Sequence, residues 1–362
     1  MKYKFLYILY ILMAICGCTI ENDGKIHVDL RESSVFDWDN RIDIVETIPL
    51  DAPLNGSYSR FDKCIVSDKS ILCYDRKRNT VSVFDVAGKL LYEIKASSTS
   101  KQGYFEMKDV IFSHDGKNIL ILTDSAIVVF DAANGNYFDR IPLKRQAISF
   151  YKFADNGEGK YFFWSISKNS IYVKDGKSMY PIRKRSGYPL LSQKFYRDPD
   201  GCLNVLSDYE PRYEICTIIG DSIMTKYSFD FGKWNIPEDT DLTKNEEYLS
   251  IDPQPYVKCL ISASETEEWL FVGAYGPSFK IYFILVDKVS GKISCGFQRK
   301  ETSVSVIGND GKYFYGIVYP SSFSGKNIFT DCISGYEVTC RDIPFIIKFK
   351  FKFPLPVKPI QC

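Results

Sequence analysis

Residues 115–135 read DGKNILILTDSAIVVFDAANG and contain two turn signals and two strand-like runs. An Asp-Gly pair opens the segment and an Asn-Gly pair closes it, and such pairs are typical of tight hairpin turns. The runs at 119–122 and 126–130 are short, apolar and rich in β-branched residues. Strands that are apolar on both faces are covered on both faces. The segment therefore predicts the middle of an antiparallel sheet that is buried on two sides.

The separation of these two turns recurs along the chain. A spacing of 19 residues joins Gly116 to Gly135, Gly157 to Gly176, Gly201 to Gly220 and Lys69 to Gly88. Successive second turns are 47, 41 and 44 residues apart, and then 71 where a longer connection enters. A period in the forties with four short strands is that of a β-propeller blade. First turns near positions 68, 116, 157, 201, 266 and 310 give six blades.

We therefore predict an all-β fold, a six-bladed β-propeller with four-stranded antiparallel blades. The sixth unit has strand-like runs near 303–307, 313–318 and 344–350, but no fourth run follows. Residues 43–50, DIVETIPL, are similar to YFDRIPL at 137–143, the fourth run of the second unit. We expect this N-terminal strand to complete the last blade and close the ring, which removes open sheet faces. The propeller then spans 41–353, with a C-terminal tail at 354–362.

The N-terminus has the pattern of a lipoprotein signal. Lys2 and Lys4 precede an apolar run at 5–15, which is shorter than the about 20 residues that cross a bilayer. A run of this length is typical of a signal peptide. It ends in ICGC at 15–18, which resembles the bacterial lipobox. We predict that residues 1–17 form the signal peptide, that Cys18 is lipidated, and that 18–40 is a lipidated tether. An ordinary cleaved signal with chance cysteines is the alternative.

The residues after Cys18 and the overall charge indicate a location. Glu21, Asn22 and Asp23 resemble in part the signal that exports Bacteroidota lipoproteins to the outer face of the outer membrane. We predict an outer-membrane lipoprotein of the cell envelope, with surface-facing and periplasmic orientations both open. The chain has 46 Lys and Arg against 45 Asp and Glu, a net charge of +1. Such a balance gives no global attraction to nucleic acid, so none is expected as a partner.

Two further stretches carry a family resemblance. FSHDGKNIL at 112–120 resembles the F-S-P-D-G-K repeat of TolB-like propellers, with His114 in place of proline. QGYF at 102–105 resembles a degraded segment of NHL-like propellers. With the lipobox and the closing strand, the chain resembles the six-bladed β-propeller lipoproteins of Bacteroidota. These motifs are turn chemistry, so the resemblance implies the fold and says little about activity.

A search for chemical motifs gives no catalytic, cofactor-binding or metal-ligating residues. The chain has no phosphate-binding loop, no H-E-x-x-H and no zinc-spaced cysteine pairs, and its two histidines, His27 and His114, fit no triad. No cofactor is predicted, although a calcium site built from oxygen ligands stays open. Aspartates recur at predicted strand ends, where we expect them to cap hairpin turns. These are Asp75, Asp85, Asp131 and Asp287.

The sequence favours a non-enzymatic binding module, anchored to the membrane, that takes a protein or glycan ligand at one mouth of the propeller. The alternative is a hydrolase or lyase, lactonase-like or glycan-cleaving, that uses carboxylates in the central channel. A purely structural subunit of an envelope complex is a third reading. The innermost strands predicted near 108–112 and 256–262 hold few paired acids, which favours binding. Two long connections, 231–255 and 319–343, are either functional loops or connections around the ring that have no function of their own.

Two cysteine pairs are predicted to face each other across hairpins. A two-residue turn at 68–69 places Cys64 opposite Cys73. Cys202 and Cys216 lie at equal distances on either side of Tyr209, in the predicted turn between the second and third strands of blade four, so they should also face each other. We expect packed thiols and no disulfides, because a crosslink across a short hairpin gains little entropy.

Overall fold

The computed structural model describes most of the chain. The described residues are 24–31, 34–51, 60–96, 106–143, 148–187, 189, 192–208, 212–238, 240, 255–298, 304–319 and 344–353. Residues 1–23 lie outside them, and with them the predicted signal peptide and Cys18. The QGYF stretch, most of the two long connections and the tail at 354–362 also lie outside. Among the described residues, no helix has the length and apolar character needed to span a membrane.

Nearly all regular structure in the described part of the chain is β-strand, with one α-helical turn, α1 (Trp38–Arg41), and two 3-10 turns at Gly232–Trp234 and Pro277–Phe279. The strands are β1 (Lys25–His27), β2 (Ser34–Val35), β3 (Ile42–Pro49), β4 (Lys63–Val66), β5 (Ser70–Asp75), β6 (Thr80–Asp85), β7 (Leu90–Lys95), β8 (Asp109–Phe112), β9 (Asn118–Leu122), β10 (Ala126–Asp131), β11 (Tyr137–Pro142), β12 (Phe150–Asp155), β13 (Lys160–Ser165), β14 (Asn169–Asp175), β15 (Ser178–Lys184), β16 (Phe195–Arg197), β17 (Leu203–Leu206), β18 (Tyr213–Ile219), β19 (Ser222–Asp230), β20 (Cys259–Glu265), β21 (Trp269–Tyr275), β22 (Ile281–Asp287), β23 (Ile293–Phe297), β24 (Val304–Asn309), β25 (Phe314–Val318) and β26 (Phe345–Phe351).

These strands form six antiparallel blades in the predicted order. Blades one to five are β4–β7, β8–β11, β12–β15, β16–β19 and β20–β23, and blade six is β24, β25, β26 and β3. The innermost strands β4, β8, β12, β16, β20 and β24 each contact the next, and β24 contacts β4. The all-β six-bladed propeller is thereby confirmed, with a central channel lined by the first strand of every blade.

The ring closes through the N-terminal strand, as predicted. β3 pairs antiparallel with β26, from Ile42 opposite Phe351 to Pro49 opposite Phe345. The observed strand, 42–49, differs by one residue from the predicted 43–50. Closure in this way satisfies the outer edge of β26, which would otherwise be open to pairing with another chain.

The apolar core lies between neighbouring blades. Every residue of β5 is buried, and Leu72 and Val83 of blade one pack with Val110 and Ile121 of blade two. Each blade therefore presents an apolar face to the blade on either side, which explains why the strand-like runs are apolar throughout.

The segment predicted as a tether differs from that expectation over its described residues. β1 pairs in parallel with β19 as a fifth strand of blade four, and β2 pairs in parallel with β23 as a fifth strand of blade five. Ile26 is buried among the side chains of blades four and five. Residues 24–31 and 34–40 are therefore part of the packed propeller, because their apolar side chains fill its outer rim.

Trp38 of α1 lies between blades five and six. Its side chain is 2% exposed, and its ring centroid lies 5.4 Å from that of Phe283 and 6.3 Å from that of Phe349. Phe36 packs against it at 4.9 Å in an edge-to-face arrangement, which is the favourable geometry for aromatic pairs. The segment that precedes β3 is thus packed between blades five and six.

The aspartates at strand ends cap turns, as predicted. Asp85 accepts the backbone N–H groups of Ala87 and Lys89, and Asp131 accepts that of Ala133. Asp75 and Asp287 accept backbone N–H groups in the same way. The following glycines provide the left-handed backbone that these turns need, as Gly88 does at φ 88°.

One cysteine pairing is confirmed and the other is wrong. Cys64 lies opposite Cys73 in the register of β4 and β5, and both are buried free thiols. Cys216 lies opposite Val205, whereas Cys202 is exposed in the preceding turn. The pairing of Leu206 with Ile215 shows that the β17–β18 hairpin is not centred on position 209. The centre of the loop sets the register of the two strands. A small error in the predicted centre therefore changes every cross-strand partner.

Candidate functional site

The central channel forms a cavity of about 1070 Å³ lined by the innermost strands of all six blades. Its two ends differ. At one end the innermost strands begin, and at the other they turn into the second strands of their blades. The channel is therefore bounded by one residue set at each end, and the two sets have different charges.

We call the end where the innermost strands begin the basic mouth. Its charged lining residues are Arg60, Asp62, Lys63, Arg76, Lys108, Asp109, Lys152 and Lys194. Six of these are basic and two are acidic, in a chain whose net charge is only +1. Two of the six, Lys108 and Lys194, contact carboxylates outside this set, Asp124 and Asp208, so four basic side chains remain against two acidic ones. Low-dielectric walls focus the field of such charges into a cleft, so the basic mouth attracts anions.

At the centre of the basic mouth, two lysines share one aspartate, and we call Lys63, Asp109 and Lys152 the channel cluster. Asp109 is the first residue of β8 and is 1% exposed. Its Oδ1 lies 2.8 Å from Nζ of Lys63 and 3.7 Å from Nζ of Lys152. Its Oδ2 accepts the backbone N–H of Phe153 at 3.1 Å. Three consecutive blades thus meet at one carboxylate.

Both lysines of the channel cluster reach into the cavity. Their side chains are 27% and 26% exposed, whereas the aspartate between them is closed off. Partial burial of the Lys63 ammonium lowers the pKa of Lys63. Asp109 opposes that shift and Lys152 adds to it. Each ammonium has three N–H donors, so donors remain that can meet a ligand in the cavity.

A second shared aspartate lies behind the channel, between blades three and four. The carboxylate of Asp208 lies 3.1 Å from Nζ of Lys194 and 2.7 Å from Nη1 of Arg185. It also accepts a hydrogen bond of 2.8 Å from the indole N–H of Trp164. Lys194 is 1% exposed and lies over the Trp164 ring at 5.0 Å. Arg185 also donates to the backbone oxygens of Ser165 and Ser167. This group is closed to solvent and has a structural role.

A third charged group, which we call the rim cluster, lies between blades four and five. It comprises Asp198, Lys226, Glu265 and Lys288. Lys226 contacts Asp198 at 2.9 Å and Glu265 at 2.8 Å, and Lys288 contacts Glu265 at 2.8 Å. Tyr227 donates to Glu265 at 2.8 Å. Two carboxylates here meet two lysines, so the charges balance.

The two histidines lie apart from the channel cluster. His27 of β1 contacts Asp230 at 3.1 Å on the outer rim of blade four. His114 lies in the first turn of blade two, where its ring lies against Gly157 and its backbone N–H donates to Asp155 at 2.9 Å. Neither touches the channel cluster in the contacts described.

The carboxylates of the described residues form no metal-binding group. No set of three or more His, Cys, Asp or Glu residues comes together there in a way that could hold a metal ion. In the channel, Asp109 is engaged by two ammonium groups, and Asp155 accepts the backbone N–H groups of His114 and Gly157. Over the whole channel lining, eight basic side chains face five carboxylates.

Sequence analysis did not find the channel cluster. It identified 108–112 as an innermost strand, which contains Asp109, but it considered only pairing between acids. Lys63, Asp109 and Lys152 occupy similar positions near the start of the first strand in three consecutive blades. An alignment of the blades by their turns, followed by a search for charges at that position, would have found them.

A family model described as "6-bladed beta-propeller" (DUF5128) matches residues 18–308. The chain belongs to this family. A search of curated proteins finds no match. Among solved structures, this propeller is similar to a candidate exported protein of Bacteroides fragilis, with a TM-score of 0.72 and 13% identity over 90% of this chain and 99% of that one. It is also similar to a DUF4221 family member from Bacteroides vulgatus, with a TM-score of 0.56 and 8% identity over 87% and 99%. At these identities the likeness shows the fold.

Proposed function

We propose that this propeller is a membrane-anchored lipoprotein of the cell envelope that binds a ligand at the basic mouth and catalyses no reaction on it. The observation that carries the proposal is the channel itself, a cavity of about 1070 Å³ with lysines of blades one and three directed into it. Ligand pockets commonly measure about 300–1000 Å³, which suits a small molecule or the end of a chain. A glycan fits this size better than a folded protein does, so we favour a glycan ligand.

The envelope location is proposed from the N-terminus and from the similar structures. ICGC at 15–18 resembles a lipobox, and the Bacteroides fragilis propeller is described as a candidate exported protein. The resemblance of FSHDGKNIL to the TolB-like repeat and of QGYF to the NHL-like segment points to the same group of exported propellers. Several acyl chains on one cysteine would anchor the protein firmly, since each buried methylene contributes about 0.8 kcal/mol.

Metabolic labelling with an alkynyl fatty acid tests the anchor. Wild type and Cys16→Ala should both be labelled, and Cys18→Ala should not. Cys16→Ala is the matched control, because it removes a neighbouring cysteine of the same segment. Equal labelling of Cys18→Ala and wild type would contradict the lipobox assignment.

A channel-narrowing variant tests the binding site. Ser305 of β24 lines the channel, so Ser305→Trp should narrow it and weaken binding in a screen of the mature chain against neutral and acidic oligosaccharides. Val289→Trp is the control, because Val289 is 82% exposed on an outer turn of blade five. Thermal melts check that both variants fold. Unchanged binding in a folded Ser305→Trp variant would refute a channel site.

The hydrolase or lyase alternative requires carboxylates that are free to act in the channel. Asp109, which is the most buried carboxylate of the described channel lining, is held by Lys63 and Lys152. This arrangement supports binding of an anion better than it supports a pair of acid and base carboxylates.

A further inference from the structure

We propose that the channel cluster is an oxyanion site, and that the ligand of the basic mouth is an acidic glycan whose carboxylate or sulfate group contacts Lys63 and Lys152. This inference rests on the proposed function and deepens it. It names the chemical group that the mouth selects and the two side chains that select it.

The channel cluster carries more positive than negative charge. Two ammonium groups meet one carboxylate in the channel cluster, so one positive charge is left over at a partly buried position. Taking a charge out of water is costly unless an opposite charge accompanies it. Both oxygens of Asp109 are already engaged, Oδ1 by the lysines and Oδ2 by the Phe153 N–H. The counter-charge must therefore come from outside the cluster.

The rim cluster shows what a complete group of this kind looks like. There, Lys226 lies between two carboxylates, Asp198 at 2.9 Å and Glu265 at 2.8 Å. Lys288 completes a set of two lysines and two carboxylates. The channel cluster has the same two lysines and lacks the second carboxylate. An oxyanion of the ligand, placed in the channel between Lys63 and Lys152, would supply the missing partner.

The other excess positive group does not compete for this role. Lys194 and Arg185 also share one carboxylate, that of Asp208, but they are 1% and 9% exposed. Backbone oxygens and the Trp164 ring take up their remaining interactions. Lys63 and Lys152, at 27% and 26%, are open to the cavity. An anion in the cavity can therefore contact the channel cluster, whereas the group around Asp208 is closed to it.

The aromatic lining of the same mouth is consistent with a sugar ligand. Tyr151 lies next to Lys152 in β12 and lines the channel, and Nζ of Lys108 lies 5.0 Å from the centre of its ring. Tyr319, which follows β25 beside the start of β24, also lines the channel at this end. Aromatic side chains offer an apolar face beside the charged groups, which is the combination that an acidic sugar presents in return.

The test uses three monosaccharide probes of similar size, D-glucuronate, D-glucose 6-sulfate and D-glucose, titrated calorimetrically into the mature chain at constant ionic strength. We expect the two anions to bind and glucose not to bind. Loss of one charge-assisted contact should weaken anion binding by about tenfold or more in Lys63→Met and in Lys152→Met. Lys177→Met, on an exposed outer turn of blade three, is the matched control and should bind as wild type does.

The outcomes separate this inference from the proposed function. Binding of glucuronate alone would identify a carboxylated glycan, and binding of the sulfate ester alone a sulfated one. Equal anion affinity in wild type and both lysine variants, or no anion binding at all, would overturn the oxyanion site. Glucose binding that survives in the lysine variants but is weakened in Ser305→Trp would overturn this inference and leave the proposed channel site intact.

Discussion

The channel cluster and the rim cluster are built from the same kinds of groups and differ by one carboxylate. In the rim cluster, Glu265 is 1% exposed, forms ion pairs with Lys226 and Lys288, and accepts a hydrogen bond from the hydroxyl of Tyr227. In the channel cluster, Asp109 is equally buried but must serve two lysines alone. A balanced group contributes to the fold and needs nothing further. An unbalanced group that opens into a cavity is arranged for a partner that arrives later.

The largest expected effect is the loss of Glu265. Glu265→Ala leaves Lys226 and Lys288 without their shared carboxylate, and breaking a buried ion pair on one side costs about 3–5 kcal/mol. Urea denaturation should show that decrease in the free energy of unfolding, while binding of glucuronate to the folded fraction stays at the wild-type level. Lys226→Met should lower the free energy of unfolding by about 2 kcal/mol. The loss is smaller because Asp198 keeps its hydrogen bonds from the Cys202 N–H and Asn204. If these variants lose no more unfolding free energy than substitutions at exposed positions do, the rim cluster does not stabilise the fold.

Asp109→Asn should change stability and binding in opposite directions. The substitution keeps the shape of the side chain but removes the only carboxylate that both lysines contact, so we expect a loss of about 2 kcal/mol in the free energy of unfolding. The same change removes a competitor for Lys63 and Lys152, so D-glucuronate should bind more tightly. Denaturation and calorimetry on one preparation measure both. Weaker anion binding in a folded Asp109→Asn variant would count against the oxyanion site.

Acid should weaken the rim cluster through Asp198. Burial alone would raise the pKa of Asp198, but hydrogen bonds from Lys226, Asn204 and the Cys202 N–H outweigh it, so the pKa lies below its ordinary value. A lowered folded-state pKa contributes stability that is present above the unfolded value of about 4 and is lost as the pH falls through the folded value. Unfolding free energies measured from pH 6 downward should fall below about pH 4. In Asp198→Asn this acid-dependent loss should be smaller, and an unchanged pH profile would refute the assignment.

The smallest expected effect is that of Lys152→Met on stability. Removing one lysine from the channel cluster leaves Asp109 paired with Lys63 at 2.8 Å, so the remaining charges balance. We expect the free energy of unfolding to change by no more than about 0.5 kcal/mol, as at an ordinary surface position. The same substitution at Lys226 is the matched comparison. If both variants lose equal stability, the distinction between the two clusters fails.

The sequence was sufficient for the ring because hairpin turns leave a local signature. Gly116 and Gly135 mark the two turns of one blade, and their spacing recurs in three other blades. β1 and β2 were not predicted, because strands of three and two residues paired in parallel to an outer edge leave no periodic pattern. The channel cluster was missed for a different reason. Lys63 and Asp109 are 46 residues apart, and the packing of blade one against blade two brings them together.

Ring closure also has a consequence for the order of events during folding. Asp43 of β3 contacts Lys352, which is 309 positions later in the chain. At synthesis rates of about 5–20 residues per second, β3 would wait roughly 15–60 s before its partner β26 exists. Pairing between such distant segments is slow, because the entropy of closing a long loop is lost before any contact is gained. The propeller therefore completes its fold only after the last blade has left the ribosome.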